Sequence, residues 1–530
     1  MPTLRLTGHD LTIADVVAVA RRDVAVGLDR AAERSVQQAA KVVAEIAESD
    51  EAVYGVNTGF GDLSSVRVPH DALRALQRNL LRSHAVGVGP PLPEDVVRAI
   101  LLLRANTLAA GRSGTRAEVV DLLCDMLNRR VHPVIPKHGS VGASGDLAPL
   151  AHAALVLIGE GETLDSAAPG PTGRGADRET TRATDRGMTR RPGADALRAA
   201  GLKPIELGPK EGVSLINGTQ VMTAIGCLAL HDAEVIATTA DVVGAMSAEA
   251  LRATDRAWDA ELNAMRPHPG QQAVAANLRS LMAGSPNVAS HRVGDPRVQD
   301  PYSVRCMPQV HGATRDALAY TRRTLEIEIN AVTDNPIVFA EDRRVVSGGN
   351  FHGQPIAIAL DLATIAVAEL ADISEARIDR MTNGHTSGLP PFLTADPGTN
   401  SGFMVAQYTA AALVTENRLR AFPASVESIS TSAGMEDHVS MGVHAAHKLS
   451  DVVRTTREVL AIEALCAAQG LDLLGATTGP GIEAARRAVR ERSPRVDQDR
   501  ALAADVAGMA DAIAREVLIA AVRARVPELA

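Results

Sequence analysis

Three stretches of this 530-residue chain, residues 355–379, 403–419 and 439–469, consist largely of Ala, Leu, Ile and Val in runs far longer than a strand. Apolar side chains recurring at helical spacing over such lengths predict long helices that bury most of their surface against one another. Aromatic residues are only 2% of the chain, so small and aliphatic side chains must fill the interfaces, which lets helix axes approach closely. A mainly α fold follows, with the long helices in a parallel bundle shared between subunits. Further helices are expected over 29–48, 93–130, 147–158 and 313–330, with a long one from the Asn217-Gly218 turn through Arg252. The charged tail, 480–530, reads as a helical cover.

Several functions are excluded early. A net charge of −9 gives the long-range field the wrong sign for nucleic acid or an anionic membrane. No apolar run reaches the length of a bilayer span, and the start, MPTLRLTGHD, lacks a basic-then-apolar signal. Cys124, Cys227, Cys306 and Cys466 lie far apart without metal-ligand spacing. A reduced, cytoplasmic, metal-free protein is expected. Residues 163–198 hold almost no large apolar side chain and read as a flexible surface insertion.

The chemistry points to residues 139–152, GSVGASGDLAPLAH. Ala143, Ser144 and Gly145 are small enough for a sharp bend that brings the Gly145 nitrogen onto the Ala143 carbonyl. Ring closure, with loss of one water there and of the Ser144 hydroxyl as a second, leaves a methylidene-imidazolone, an electrophile no ordinary side chain supplies. A serine-hydrolase elbow, G-x-S-x-G, fails because Asp146 occupies the second glycine position. A plain Gly/Ala/Ser turn before an apolar helix is the competing structural reading.

Because rings are scarce, their placement is informative. Tyr54, Phe60, Tyr302 and Phe351 sit in glycine-rich or polar stretches rather than on apolar helix stripes. Tyr54 lies in the loop sequence YGVNTGFGDL, where its hydroxyl can face a cavity. His84 falls where LQRNLLRSHAVGVGP breaks from helix into Gly87 and Gly89, and Asn217 marks the turn in LGPKEGVSLINGTQ. In VQDPYSVRCMPQVHG, Gln299, Tyr302 and Arg305 are three apart and would share one face of a helical turn. Arg305 offers the planar fork that grips a carboxylate. Phe351 follows two glycines and an asparagine. Glu436, Asp437 and His438 in TSAGMEDHVSMG read structurally as a helix start.

These strings together resemble the aromatic amino acid ammonia-lyase (methylidene-imidazolone) family, from about residue 54 to 469. The resemblance implies an almost wholly α-helical long-helix bundle with a smaller N-terminal domain bearing the electrophile. On that pattern the expected division is 1–205, 206–480 and 481–530, and the expected assembly is a homotetramer with shared sites. It implies a 4-methylidene-imidazol-5-one made from Ala143-Ser144-Gly145, with Asp146 assisting the dehydration, and no metal or nucleotide cofactor. Tyr54 is the expected base for the β-proton, with Tyr302 and Glu436 as alternatives. Arg305, Asn217 and Gln299 are expected to hold the substrate carboxylate, and Phe351 to line the pocket.

Ser83-His84 and Glu436 resemble the histidine-specific branch, which implies elimination of ammonia from L-histidine to give trans-urocanate, the opening step of histidine degradation. Met435 stands where many relatives carry glutamine and keeps a tyrosine or phenylalanine lyase, or an aminomutase, as the alternative. The GSSxMPxKxN loop of the fumarase/aspartase class is absent from the sequence. A catalytically silent scaffold would have no need of these residues.

Overall fold

The computed structural model describes residues 3–49, 51–59, 66–164 and 189–530. Phe60 and most of the expected insertion lie outside them. The chain divides into two compact units that are discontinuous in sequence. The boundaries expected near 205 and 480 divide it by chain order, whereas these units divide it by contacts. Four helices supply residues to both units: Gln220–Ala250, Met307–Glu328, Gln354–Thr382 and Gly442–Leu474.

The first unit comprises Met1–Leu228, Arg322–Leu360 and Pro423–His447. Its helices Ile13–Arg22 and Arg30–Glu48 begin where the sequence supplies caps. Thr12 and Asp15 form a reciprocal capping box, and the Asp29 carboxylate accepts the Ala31 and Ala32 N–H groups. Helix Arg30–Glu48 buries its Ala39, Val42, Val43 and Ala47 stripe against Val56, Leu73 and Val338, each large aliphatic contributing roughly 1.5–3 kcal/mol. Short strand pairs tie the loops together. Ile337–Phe339 runs antiparallel to Arg344–Val346 in the hairpin expected before Phe351.

The second unit comprises Ala229–Thr321, Asp361–Phe422 and Lys448–Ala530. Ala240, Val243, Ala245, Met246, Ala371, Ala461, Ala464 and Ala468 are all inaccessible to solvent. Where Gly244 lies, a Cβ would come within 2.5 Å of Met307 Sδ, so the absence of a side chain is what permits that approach. The tail folds as three helices, Pro480–Arg490, Ala503–Ala514 and Val517–Arg523.

Four expectations need correction. Helix Gln220–Ala250 is long and apolar enough to cross a membrane, but 78% of its most apolar stretch is buried within the protein, as in a core helix. The segment expected to be flexible from 163 to 198 is ordered at both ends. Glu162–Leu164 pairs with Arg190–Pro192 in a three-stranded sheet, and Gly193–Ala199 is helical; Leu197, wholly buried, supplies an apolar anchor that composition averaged away. Gln299 does not share the helical turn of Tyr302 and Arg305. Pro301 takes the N-cap position, the helix spans Tyr302–Arg305, and Gln299 stays in the preceding bend. Glu436 does not start a helix, because Gly442–Leu474 begins six residues later.

Candidate active site

The backbone at 142–145 turns back on itself. Gly142 and Gly145 form a bridge across the turn, with φ of +80° and +78°, and Ser144 between them has a φ of +48°. A Cβ on Gly145 would lie 2.1 Å from the Gly218 carbonyl oxygen, and one on Gly142 would lie 2.2 Å from Ser440 Oγ. Neither position admits another residue without displacing its neighbours. The turn is pressed against Asn217-Gly218 by two backbone bonds: Gly218 N–H donates to Ser144 O at 3.2 Å, and Asp146 N–H donates to Gly218 O at 2.8 Å. The tripeptide is small, sharply bent and held against Asn217-Gly218.

Asp146 anchors the turn from its other side. Its wholly buried carboxylate accepts the Val221 and Met222 N–H groups at 2.8 and 2.9 Å, at the N-terminus of helix Gln220–Ala250. Burial pushes its carboxyl up to about 7, against the opposing pull of those N–H groups, Ser140 and Arg104.

A cavity of about 790 Å³ opens over Ser144. It is lined by Tyr54, His84, Asn217, Phe351 and Glu436, five of the side chains expected from sequence, and by Met435. Glu436 reaches it from a tight loop. Thr431 and Glu436 pair through their backbones, and the Thr431 hydroxyl donates to Glu436 Oε2 at 2.7 Å. Glu436 Oε1 accepts the Ser144 hydroxyl at 3.1 Å.

His84 ends helix Leu73–His84. Its Nδ1 sits 2.9 Å from the Leu80 carbonyl oxygen, which can only accept, so Nδ1 carries the proton. Nε2 is then the ring's free acceptor while the ring is neutral. Burial favours that state by lowering the His84 pKa, against opposing contributions from the Leu80 carbonyl and Glu436.

Gln299, Tyr302 and Arg305 are not among the cavity's lining residues. All three belong to the second unit. Tyr302 is 72% exposed there, with the Arg305 guanidinium 4.6 Å from its ring centroid. Gln299 borders a separate cavity of about 180 Å³ beside His291 and Asp295.

Sequence reading assigned no part to the polar shell beneath the turn. Arg104, fully buried, donates to the Ser214 and Asn217 carbonyls at 2.8 and 2.9 Å. Lys210 Nζ donates to Asp334 Oδ2 at 2.7 Å, both side chains wholly inaccessible. Burial works to raise the Asp334 carboxyl, but Lys210 and Arg104 outweigh it and hold the pKa below the usual range. A lysine and an aspartate 124 positions apart carry no local signal of pairing.

A helical fold with a self-bent Ala-Ser-Gly turn beneath a polar cavity defines an aromatic amino acid lyase, and the chain belongs to that family, whose pattern matches residues 11–491. A histidine ammonia-lyase from Anaeromyxobacter sp. (strain K) is 53% identical over 96% of this chain and 97% of its own length. The crystal structure of histidine ammonia-lyase from Trypanosoma cruzi superposes with a TM-score of 0.88 at 40% identity, covering 99% of this chain and 96% of that one. Tyrosine aminomutase from Streptomyces globisporus superposes at 0.91 with 38% identity, covering 99% of both chains. The mainly α fold expected from sequence is the fold observed.

Proposed function

We propose that this chain is a cytoplasmic enzyme that eliminates ammonia from L-histidine to leave trans-urocanate, the opening step of histidine degradation. The observation that carries the reading is Glu436 Oε1 at 3.1 Å from Ser144 Oγ, in a cavity that His84 also lines. His84 Nε2 and the Glu436 carboxylate are both acceptors, and they suit a histidine ring in its protonated, imidazolium form, which brings two N–H donors where the neutral ring brings one. A phenol brings one donor and a phenyl ring none. Likeness to histidine ammonia-lyases at 50% identity or more supports the same choice.

The prosthetic group is 4-methylidene-imidazol-5-one, formed autocatalytically from Ala143-Ser144-Gly145; it supplies an electrophile that takes up the amine and makes ammonia a better leaving group. Ring formation consumes the Ser144 hydroxyl and thereby frees Glu436 Oε1 for the substrate. Tyr54, on the cavity wall, removes the β-proton, and the C–H electron pair becomes the new C=C bond as the C–N bond breaks. Phe351 lines the cavity beside the turn, and Asn217 helps hold the substrate carboxylate.

Gln299, Tyr302 and Arg305 serve the site from another copy in a homotetramer, with Arg305 gripping the carboxylate. The exposed positions of Leu362, Ile365, Val405, Tyr408 and Leu419 in the second unit support such self-association. Met435, 61% exposed beside Glu436, is the feature that favours a different ring.

A side-by-side ultraviolet assay with L-histidine, L-tyrosine and L-phenylalanine tests the reading. Urocanate and ammonia from histidine alone are expected. Coumarate, cinnamate or a β-amino acid would keep the family chemistry and overturn the substrate.

A further inference from the structure

Lys210 and Asp334 do not line the cavity, yet they stand directly behind the residue that braces Ser144. We propose that Lys210 sets the orientation of the Asn217 amide, and through it the backbone of the Ala143-Ser144-Gly145 turn, by occupying the Asp334 carboxylate. The inference rests on the reading that this tripeptide closes into a ring.

The Asn217 amide has two orientations available. In one, Nδ2 donates to Ser144 O at 3.0 Å and Oδ1 accepts the Asn335 N–H at 2.7 Å. In the other, Nδ2 points the opposite way, 3.4 Å from Asp334 Oδ1 and 3.3 Å from the Asn335 carbonyl. The first is the better bonded, with both amide atoms paired at short range. It gives the Ser144 carbonyl two donors, Asn217 Nδ2 and the Gly218 N–H.

That choice depends on Asp334 having no need of the amide. Lys210 Nζ takes Oδ2 at 2.7 Å and is itself held by Ser214 Oγ at 2.9 Å, while Oδ1 shares the Asn335 N–H, 2.7 Å away, with Asn217 Oδ1. Arg104, the other cation here, donates to backbone carbonyls and to Gln220, and so braces the chain rather than this carboxylate. Without the ammonium, a wholly buried carboxylate would lose its bonded counter-charge and keep only the field of Arg104, which is not bonded to it, a costly state. The donors within reach are the Ser113 hydroxyl and Asn217 Nδ2, and of the two the amide is the one whose turning bears on Ser144. Turning the amide towards Asp334 removes one of the two donors on Ser144 O and loosens the middle of the turn. Ring closure requires the Gly145 nitrogen to be held against the Ala143 carbonyl carbon, and small displacements of reacting atoms are costly in rate. Lys210 is thus a positioning residue, acting on the turn through Asp334 and Asn217.

The test uses full-length protein and intact mass, read as the fraction of folded chains lighter by two waters over time, with circular dichroism and thermal melting alongside. Lys210→Met is expected to close roughly a hundredfold more slowly than wild type. Adding Asp334→Asn removes the competing charge and should bring closure back to within about threefold of wild type. A purely structural role would lower the melting temperature and leave closure in the folded chains unchanged. Wild-type closure in Lys210→Met, or no recovery in the double variant, overturns the proposal. Failure of both variants to fold overturns it too, because the pair would then only support the fold. Wild-type protein without the mass deficit would sink the ring reading itself, a separate and recognisable outcome.

Discussion

The two units each bury a cluster of charges, and the clusters differ in how completely they are satisfied. In the second unit, Arg377 grips Glu463 through two nitrogens at 2.6 and 3.0 Å, and the Ser247 and Ser374 hydroxyls donate to the same carboxylate at 2.6 Å each. Nearby, Asp241 accepts from His311, Arg315 and Asn277. In the first unit, Asp146 accepts, among the described residues, backbone N–H groups and the Ser140 hydroxyl but no cation, and its carboxyl is pushed up to about 7. Buried charge alone therefore does not mark chemistry. A closed network specifies how helices meet; a carboxyl held near neutrality beneath a bent turn beside a cavity is what a proton-handling site would need.

The comparison is broken most sharply at Ser144. Ser144→Ala should abolish the two-water mass deficit and lower turnover by roughly a thousandfold or more, while the Arg377–Glu463 cluster and the melting temperature stay unchanged. In the second unit the effect should fall on stability instead. Arg377→Met leaves Glu463 buried without its counter-ion and should cost about 3–5 kcal/mol by denaturant titration, whereas Arg377→Met with Glu463→Leu should recover most of that.

The Asp146 carboxyl gives the first unit a pH signature of its own. Its folded pKa of about 7 lies above the ordinary carboxylate value of 3.8, so its contribution to stability is complete below about pH 4 and is lost as pH rises towards 7. The loss should be roughly 4 kcal/mol, and Asp146→Asn should flatten that part of the stability profile. A profile unchanged by the substitution would remove the distinction drawn between the clusters.

Smaller effects sharpen the cavity. Glu436→Ala should reduce histidine turnover roughly a hundredfold and any phenylalanine turnover far less, because only the imidazole donates to the carboxylate. Equal losses would argue against that contact. His84→Leu should cost about tenfold in kcat/KM for histidine and shift preference towards phenylalanine, measured as the ratio of the two rates.

Much of the site was legible because its parts are local. The Ala143-Ser144-Gly145 turn, the Tyr54 loop, the His84 helix end and the Phe351 hairpin are each short strings whose residue types limit the backbone they can adopt. The structure gathers Tyr54, His84, Ser144, Asn217, Phe351 and Glu436 around one cavity. Local spacing misled at Gln299, because the three-residue interval to Tyr302 suggested one helical face while Pro301 started the helix after it. Composition misled at 163–198, where a few anchoring side chains order the ends of an otherwise polar stretch.

The sequence by itself determined the long helices and the Ala-Ser-Gly turn, because helical periodicity and the backbone freedom of glycine act over a few residues. Only the tertiary structure decided which buried charges would meet. Lys210 finds Asp334, Arg104 finds the Asn217 carbonyl, and Glu436 finds Ser144 across 292 positions. Such pairings depend on how helices close around one another, where desolvation penalises every polar group that arrives without a partner.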